Sequence, residues 1–171
     1  MRIIELQEQQ GPQDYKLFVD LDGVLVDWHR TLRELTGIEN LNDLPKKEFW
    51  RAVGIAAKKG RKLWYESEKT HDADQLWDYV KGYDPTILTA GATSIKSSYQ
   101  EKRDWVRDNL GSEWKVIVVD GGREKYKYAA PNHILIDDRS VSVDPWVDAG
   151  GIGILHTSAK NTIENLKELG L

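Results

Sequence analysis

Two acidic stretches hold most of the chemistry that the chain can offer. The first is Asp20-Leu21-Asp22-Gly23-Val24-Leu25-Val26-Asp27. Carboxylates two residues apart at a strand end point the same way if the strand continues, but Gly23 permits a sharp turn that moves Asp22 off that line. One carboxylate is then free to attack an electrophile while the other handles a proton. An Asx-type turn closing a strand is the plainer alternative. A calcium loop does not fit, because Asp20 follows an apolar run rather than a helix, and Thr31 stands where the bidentate Glu belongs.

The second stretch is His133-Ile134-Leu135-Ile136-Asp137-Asp138-Arg139. Adjacent carboxylates repel by about 1–4 kcal/mol at ~4 Å, depending on the effective dielectric. Something positive belongs beside them: either Arg139 pairs with Asp138, or a divalent cation is shared with Asp20. Between the stretches, Thr89-Ala90-Gly91-Ala92 supplies a hydroxyl and a small-residue turn whose backbone N–H groups can hold phosphate oxygens. A strand-to-helix loop explains the same residues. Lys125 and Lys127, in Arg123-Glu124-Lys125-Tyr126-Lys127, lie upstream of the second stretch, though isolated lysines are usually solvated. His29, His71, His133 and His156 show no ligand spacing.

These residues need a scaffold. Leu17-Phe18-Val19, Thr86-Ile87-Leu88, Val116–Val119, Ile134-Leu135-Ile136 and Ile152–Leu155 are short apolar runs, continuous rather than alternating, as in strands buried on both faces. Ile95, Tyr99, Val106 and Leu110 predict an amphipathic helix over 95–110, stopped by Gly111. Ser158 is placed to cap a last helix carrying Ile163, Leu166 and Leu169, and Gly150-Gly151 to end a helix before the fifth run. Strand and helix in alternation predict a doubly wound, Rossmann-like α/β fold with a parallel sheet, whose ligands gather at the carboxyl ends of the strands. Residues 28–82 contain helical stretches and no clear strand. We expect a small helical cap there, inserted after the first strand into a core made of 1–27 and 83–171. Asp27 can cap the helix that starts at Trp28. The polar, breaker-containing residues 7–14 read as a loop.

Composition limits the remaining choices. The chain has 171 residues, 24 Lys plus Arg against 28 Asp plus Glu, a net charge of −4, and no cysteine. That is one domain of ordinary globular make-up. Thiol catalysis, disulfides and thiolate metal sites are excluded, so any metal is held by oxygen or imidazole. No run is long and apolar enough for a membrane span, and Met1–Leu6 turns polar too soon for a secretory signal, so a cytoplasmic location is expected. Mild acidity argues against a duplex-DNA binder, and no stable nucleic-acid partner is expected.

Taken together, an acid pair, a hydroxyl, a lysine and a second acid pair, each near a strand's carboxyl end, resemble the haloacid dehalogenase superfamily of phosphohydrolases. Asp20-Leu21-Asp22-Gly23 matches its first motif, Thr89 its second, Lys125 its third and Asp137-Asp138 its fourth, across residues 17 to 155. The resemblance implies that Asp20 attacks phosphorus and Asp22 acts as acid and base. It implies Mg²⁺ held by Asp20, the carbonyl of Asp22, Asp137 and, through water, Asp138. Thr89 and Lys125 would hold phosphoryl oxygens, with Lys127 a rival for the lysine role. A receiver-type signalling module uses similar side chains, but its acid pair comes first and its lysine last, and here an acid pair follows Lys125.

A narrower resemblance is to the 5′(3′)-deoxyribonucleotidase family, carried by Asp20–Trp28, Ile134–Arg139 and Phe49-Trp50. It implies a small phosphate ester, a nucleoside monophosphate, as partner, with Trp28, Phe49 and Trp50 walling the base pocket. Trp64 is placed only loosely. Ala90-Gly91 follow Thr89 where that family commonly has a second hydroxyl. From Lys46 to Trp64 seven basic residues face Glu48 alone, which suits an anionic ligand under a basic, aromatic lid or, equally, a solvated helix face. A phosphatase of nucleic-acid ends is the alternative enzyme, although a cap over the pocket should exclude long polymers.

Overall fold

The computed structural model describes residues 14–171; the hexapeptide Met1–Leu6 and residues 7–13 of the expected loop lie outside them. Five strands form one parallel sheet: β1 Lys16–Val19, β2 Thr86–Ala90, β3 Val116–Val119, β4 His133–Asp137 and β5 Ile152–Leu155, in the order β3-β2-β1-β4-β5. The chain winds outward from β1 through β2 to β3, then crosses back to β4 and β5. The reversal falls between β1 and β4, where the strand ends open a crevice.

The continuous apolar runs are explained by burial on both faces. Leu17, Val19, Ile87, Ile134, Ile136 and Ile154 form one cluster with α3 (Ala73–Val80), α4 (Ser97–Asn109) and α6 (Ala159–Glu168). Phe18, Leu88 and Leu135, pointing the other way, pack against Trp146 of α5 (Ser140–Asp148). The predicted helix over 95–110 is α4, two residues shorter at its start. Ser158 caps α6 by accepting the Asn161 N–H at 3.2 Å, and Gly150 follows α5 with φ +90°. No helix among the described residues is long and apolar enough to cross a membrane.

The insert begins and ends at a short stem. Asp27 N–H donates to the Glu68 carbonyl at 2.9 Å and Thr70 N–H to the Leu25 carbonyl at 3.0 Å. Between these points α1 (Trp28–Thr36), α2 (Lys46–Lys58) and the segment around Trp64 bury a second cluster, Leu32, Leu41, Val53, Ala56, Leu63 and Trp64, which also takes in Ala92 of the core. Asp27 caps α1, accepting the Arg30 N–H at 3.1 Å. The expected boundary at residue 82 is displaced, because Ala73, Leu76, Trp77 and Val80 of α3 pack in the sheet's cluster. By packing, the separate unit closes at the stem and α3 is a core helix.

Candidate active site

Strand register brings the acids together. Val19 pairs with Ile136 across β1 and β4, and Asp20 N–H donates to the Ile136 carbonyl at 2.9 Å, so Asp20 and Asp137 leave the sheet side by side. Gly23 then turns the chain at φ +78°, and a Cβ there would run into the Asp138 carboxylate. Glycine is therefore needed twice over, for the backbone angle and for the close approach of Asp138. Oxygens of Asp20, Asp137 and Asp138 lie within 4.8 Å of one another.

Lys125 closes the group from beneath. It comes from a short 3-10 segment, Gly122–Tyr128, and its side chain is only 1% exposed. Its Nζ lies 2.5 Å from Asp137 Oδ2 and 2.9 Å from Asp20 Oδ1. Burial alone would lower the pKa of this lysine, but Asp20 and Asp137 outweigh it and the net shift is upward. The choice between the two lysines is decided by burial: Lys127 is exposed and pairs with Glu124.

Asp22 takes a different partner. Its Oδ2 accepts from Lys102 Nζ at 2.6 Å, and the same ammonium donates to Thr89 Oγ1 at 3.3 Å. Burial raises the Asp22 pKa, with Lys102 pulling against it. Asp137 is raised by burial and then by Asp20, and Asp138 is pushed up to about 7 by burial, Asp20 and Asp137. Arg139 forms no ion pair with Asp138 among the described residues and only partly offsets its upward shift: it is exposed, and its backbone N–H donates to Asp137 Oδ1 at 2.9 Å.

This donor set fits a hard divalent cation. Asp138 Oδ1 and Asp22 Oδ1 are buried without a hydrogen-bond partner among the described residues, and Asp20 Oδ1 meets Lys125 as an ion pair without hydrogen-bond geometry. Four carboxylates against two buried ammonium groups leave two negative charges, the charge of one such ion. Of the Asp22 carboxylate, Oδ2 is turned to Lys102 at 2.6 Å.

The turn after Thr89 departs from expectation. Gly91 N–H donates to the Val119 carbonyl at 2.8 Å and Ala92 N–H to Ser98 Oγ at 2.9 Å. Those two donors are committed to the fold and are not free for phosphate. Gly91 serves packing instead, since a Cβ there would come within 2.5 Å of the Tyr99 ring. Ala90 ends β2. Thr89 itself is fully buried at the carboxyl end of the strand, beside Lys102.

Of the expected aromatic wall, Trp28 and Phe49 come together and Trp50 stands at its edge. Trp28 stacks on Trp64 with centroids 6.0 Å apart and meets Phe49 edge-on at 5.8 Å. Trp64, 3% exposed, lies over Lys102 with the ammonium 5.8 Å from its ring centre, which joins the wall to Asp22. Trp50 is 37% exposed and, among the rings of the described residues, meets only Phe49. The basic run is solvated: Lys46, Lys47, Arg51, Lys58, Lys59, Arg61 and Lys62 are exposed, and Arg61 pairs with Glu66.

Lys102 is the residue of the candidate site that sequence reasoning missed. The amphipathic pattern used Tyr99 and Val106; α4 does bury Val106, but it buries Ser98, Glu101, Lys102 and Trp105 as well. Polar residues at i, i+3 and i+4 on the face that continues to Trp105 at i+7, on a helix that must pack against a sheet, were the available signal.

A scan against protein-family models finds no match, and a search of curated proteins likewise finds none. Solved structures do match. A protein from Burkholderia xenovorans, described as a haloacid dehalogenase-like hydrolase, superposes with TM-score 0.59 at 12% identity, over 94% of this chain and 100% of that one. A haloacid dehalogenase-like family hydrolase from Streptococcus pneumoniae gives 0.57 at 13%, over 88% and 90%. A haloacid dehalogenase superfamily hydrolase of subfamily IA from Geobacter sulfurreducens gives 0.54 at 15%, over 92% and 99%. The chain has the α/β Rossmann-like fold of these hydrolases.

Proposed function

We propose that the protein is a Mg²⁺-dependent phosphomonoester hydrolase, acting on nucleoside monophosphates through an aspartyl-phosphate intermediate. The observation that carries this reading is the convergence of Asp20, Asp137 and Asp138 oxygens within 4.8 Å at the switch point of the sheet, over a buried lysine. An Asp20 oxygen attacks phosphorus as the ester P–O bond breaks. The departing oxygen takes the proton of Asp22, a carboxyl that burial predisposes to hold one. A water then attacks the phosphoaspartate, gives its proton back to Asp22, and phosphate leaves with Asp20 restored. Asp20, Asp137 and Asp138, with the Asp22 carbonyl, would hold Mg²⁺, which offsets the repulsion between carboxylate and phosphate. Lys125, Lys102 and the Thr89 hydroxyl supply donors on the same side, where phosphoryl oxygens arrive.

The unit between the stem points is the cap of this enzyme, with residues 28–70 rather than 28–82 covering the site. The nucleotide preference rests on the aromatic wall of Trp28, Phe49 and Trp64 beside Lys102 and on resemblance to the deoxyribonucleotidases. A phosphate-release screen over nucleoside monophosphates, p-nitrophenyl phosphate and a 3′-phosphorylated oligonucleotide, with and without chelator, tests both levels. We expect chelator-sensitive release and preference for the mononucleotides; preference for the oligonucleotide overturns the substrate. Asp20→Asn keeps the shape and removes the nucleophile, so turnover should fall by about 10³-fold or more. Retained hydrolysis in that variant overturns the mechanism.

A further inference from the structure

Glu101 is a buried carboxylate, 7% exposed, that has no place in the chemistry above. Its Oε2 accepts the backbone N–H of Trp64 at 3.0 Å, across a separation of 37 residues. Burying an acid is unfavourable unless it is hydrogen-bonded, so this contact needs a reason. The neighbouring side chain, Lys102, holds Asp22 and Thr89, and the Trp64 ring lies over its ammonium. Further along the same helix face, Trp105 Nε1–H donates to the Ser67 carbonyl at 2.8 Å. One face of α4 thus grips the returning segment of the insert at Trp64 and Ser67, while one of its own residues grips the proposed acid and base.

We infer that Glu101 is a positioning residue that latches the cap, fixing Trp64 over Lys102 and so closing the aromatic wall onto the reacting end of the sheet. A carboxylate accepting an N–H gives one of the stronger neutral-donor hydrogen bonds, and it acts beside the Trp105–Ser67 contact and a hydrogen bond from the Tyr65 hydroxyl to Asp108 at 3.0 Å. Trp28, half-buried and on α1, then stacks on a platform that Glu101 has set rather than on a mobile ring. The latch acts on substrates that reach the wall and leaves small esters untouched. This inference rests on the phosphohydrolase reading for its kinetic consequence and on geometry alone for its structural one.

Glu101→Ala and Glu101→Gln separate these. Hydrogen exchange on the full chain should show the Trp64 amide losing protection by roughly tenfold or more in the Ala variant, because a hydrogen bond to a charged group is removed. The Gln variant, whose amide oxygen still accepts, should restore most of it. In kinetics, Glu101→Ala should raise KM for a nucleoside monophosphate roughly tenfold, with little change in kcat/KM for p-nitrophenyl phosphate. Unchanged exchange at Trp64 overturns the latch, and equal losses on both substrates with no rescue by Gln reduce Glu101 to a structural residue and overturn it equally. Should the wild-type chain release no phosphate, the functional reading fails while the exchange comparison still decides the latch.

Discussion

The two buried lysines divide the site into unequal halves. Lys125 sits between Asp20 and Asp137, nearly sealed, with side-chain exposures of 1%, 8% and 0%. Lys102 is as deeply buried, but its carboxylate partner, Asp22, keeps 22% of its side chain exposed, and its other neighbours are a hydroxyl and an indole ring. The first half is built where β1 and β4 end side by side, with Lys125 reaching in from the 3-10 segment Gly122–Tyr128. The second is built on a helix, a turn and the insert, which are joined by a few long-range hydrogen bonds. Lys102 and Asp22 pair one to one, whereas Lys125 alone faces Asp20 and Asp137 with Asp138 beside them, so the uncompensated negative charge lies in the first half.

That contrast is most directly broken by removing each ammonium in turn. In chelator, Lys125→Met should leave two facing carboxylates unpaired at a cost of ~3–5 kcal/mol, lowering Tm by about 6–20 °C for a chain of this size. Lys102→Met should cost about 1–3 kcal/mol, since water can reach Asp22. Calorimetry giving Lys102→Met the larger loss would reverse the comparison.

The aromatic side of the second half can be sharpened by two tryptophans. Trp28→Ala removes a stacked ring and should weaken nucleoside monophosphate binding by roughly 5–150-fold, the equivalent of ~1–3 kcal/mol. Trp50→Ala, at an exposed position, should stay within about 0.5 kcal/mol in stability and leave KM nearly unchanged. A KM effect at Trp50 as large as that at Trp28 would move the wall to the outer face of α2.

A smaller effect is expected from pH. Asp138 is raised to about 7, and Asp22 and Asp137 are raised as well. An acid whose folded pKa lies above its unfolded value of about 3.9 favours the folded state at low pH and loses that advantage as pH rises. In chelator, Tm should therefore fall between about pH 4 and pH 7, the window set by Asp138. Asp138→Asn should flatten that slope and gain about 2–4 °C at pH 8, and added Mg²⁺ should do the same for the wild type. A flat Tm profile in chelator would show that the acids are not held near one another in solution.

Much of the first half was legible in the sequence because it depends on local order. A buried strand ending in Asp20 and another ending in Asp137 need only one register to meet, and Gly23 announces the turn that admits Asp138. The second half was hidden because its contacts join residues far apart in the chain. Lys102 reaches Asp22 across 80 residues and Glu101 reaches Trp64 across 37, and no periodicity links them. The boundary of the insert was misplaced for a related reason: α3 looks like the helices before it, and only its burial against the sheet assigns it to the core.

What the chain's residues determined by themselves is the layered α/β order, the absence of thiol chemistry, and the delivery of acids to one end of a parallel sheet, all of which follow from short-range pattern and side-chain chemistry. Tertiary structure alone decided that Lys125 and not Lys127 is buried, that the Gly91 and Ala92 amides are already bonded, and that α4 joins the insert to Asp22. These outcomes depend on which polar groups are removed from water together. Desolvation is a property of the packed molecule, and it makes a buried charge find a partner wherever the fold supplies one.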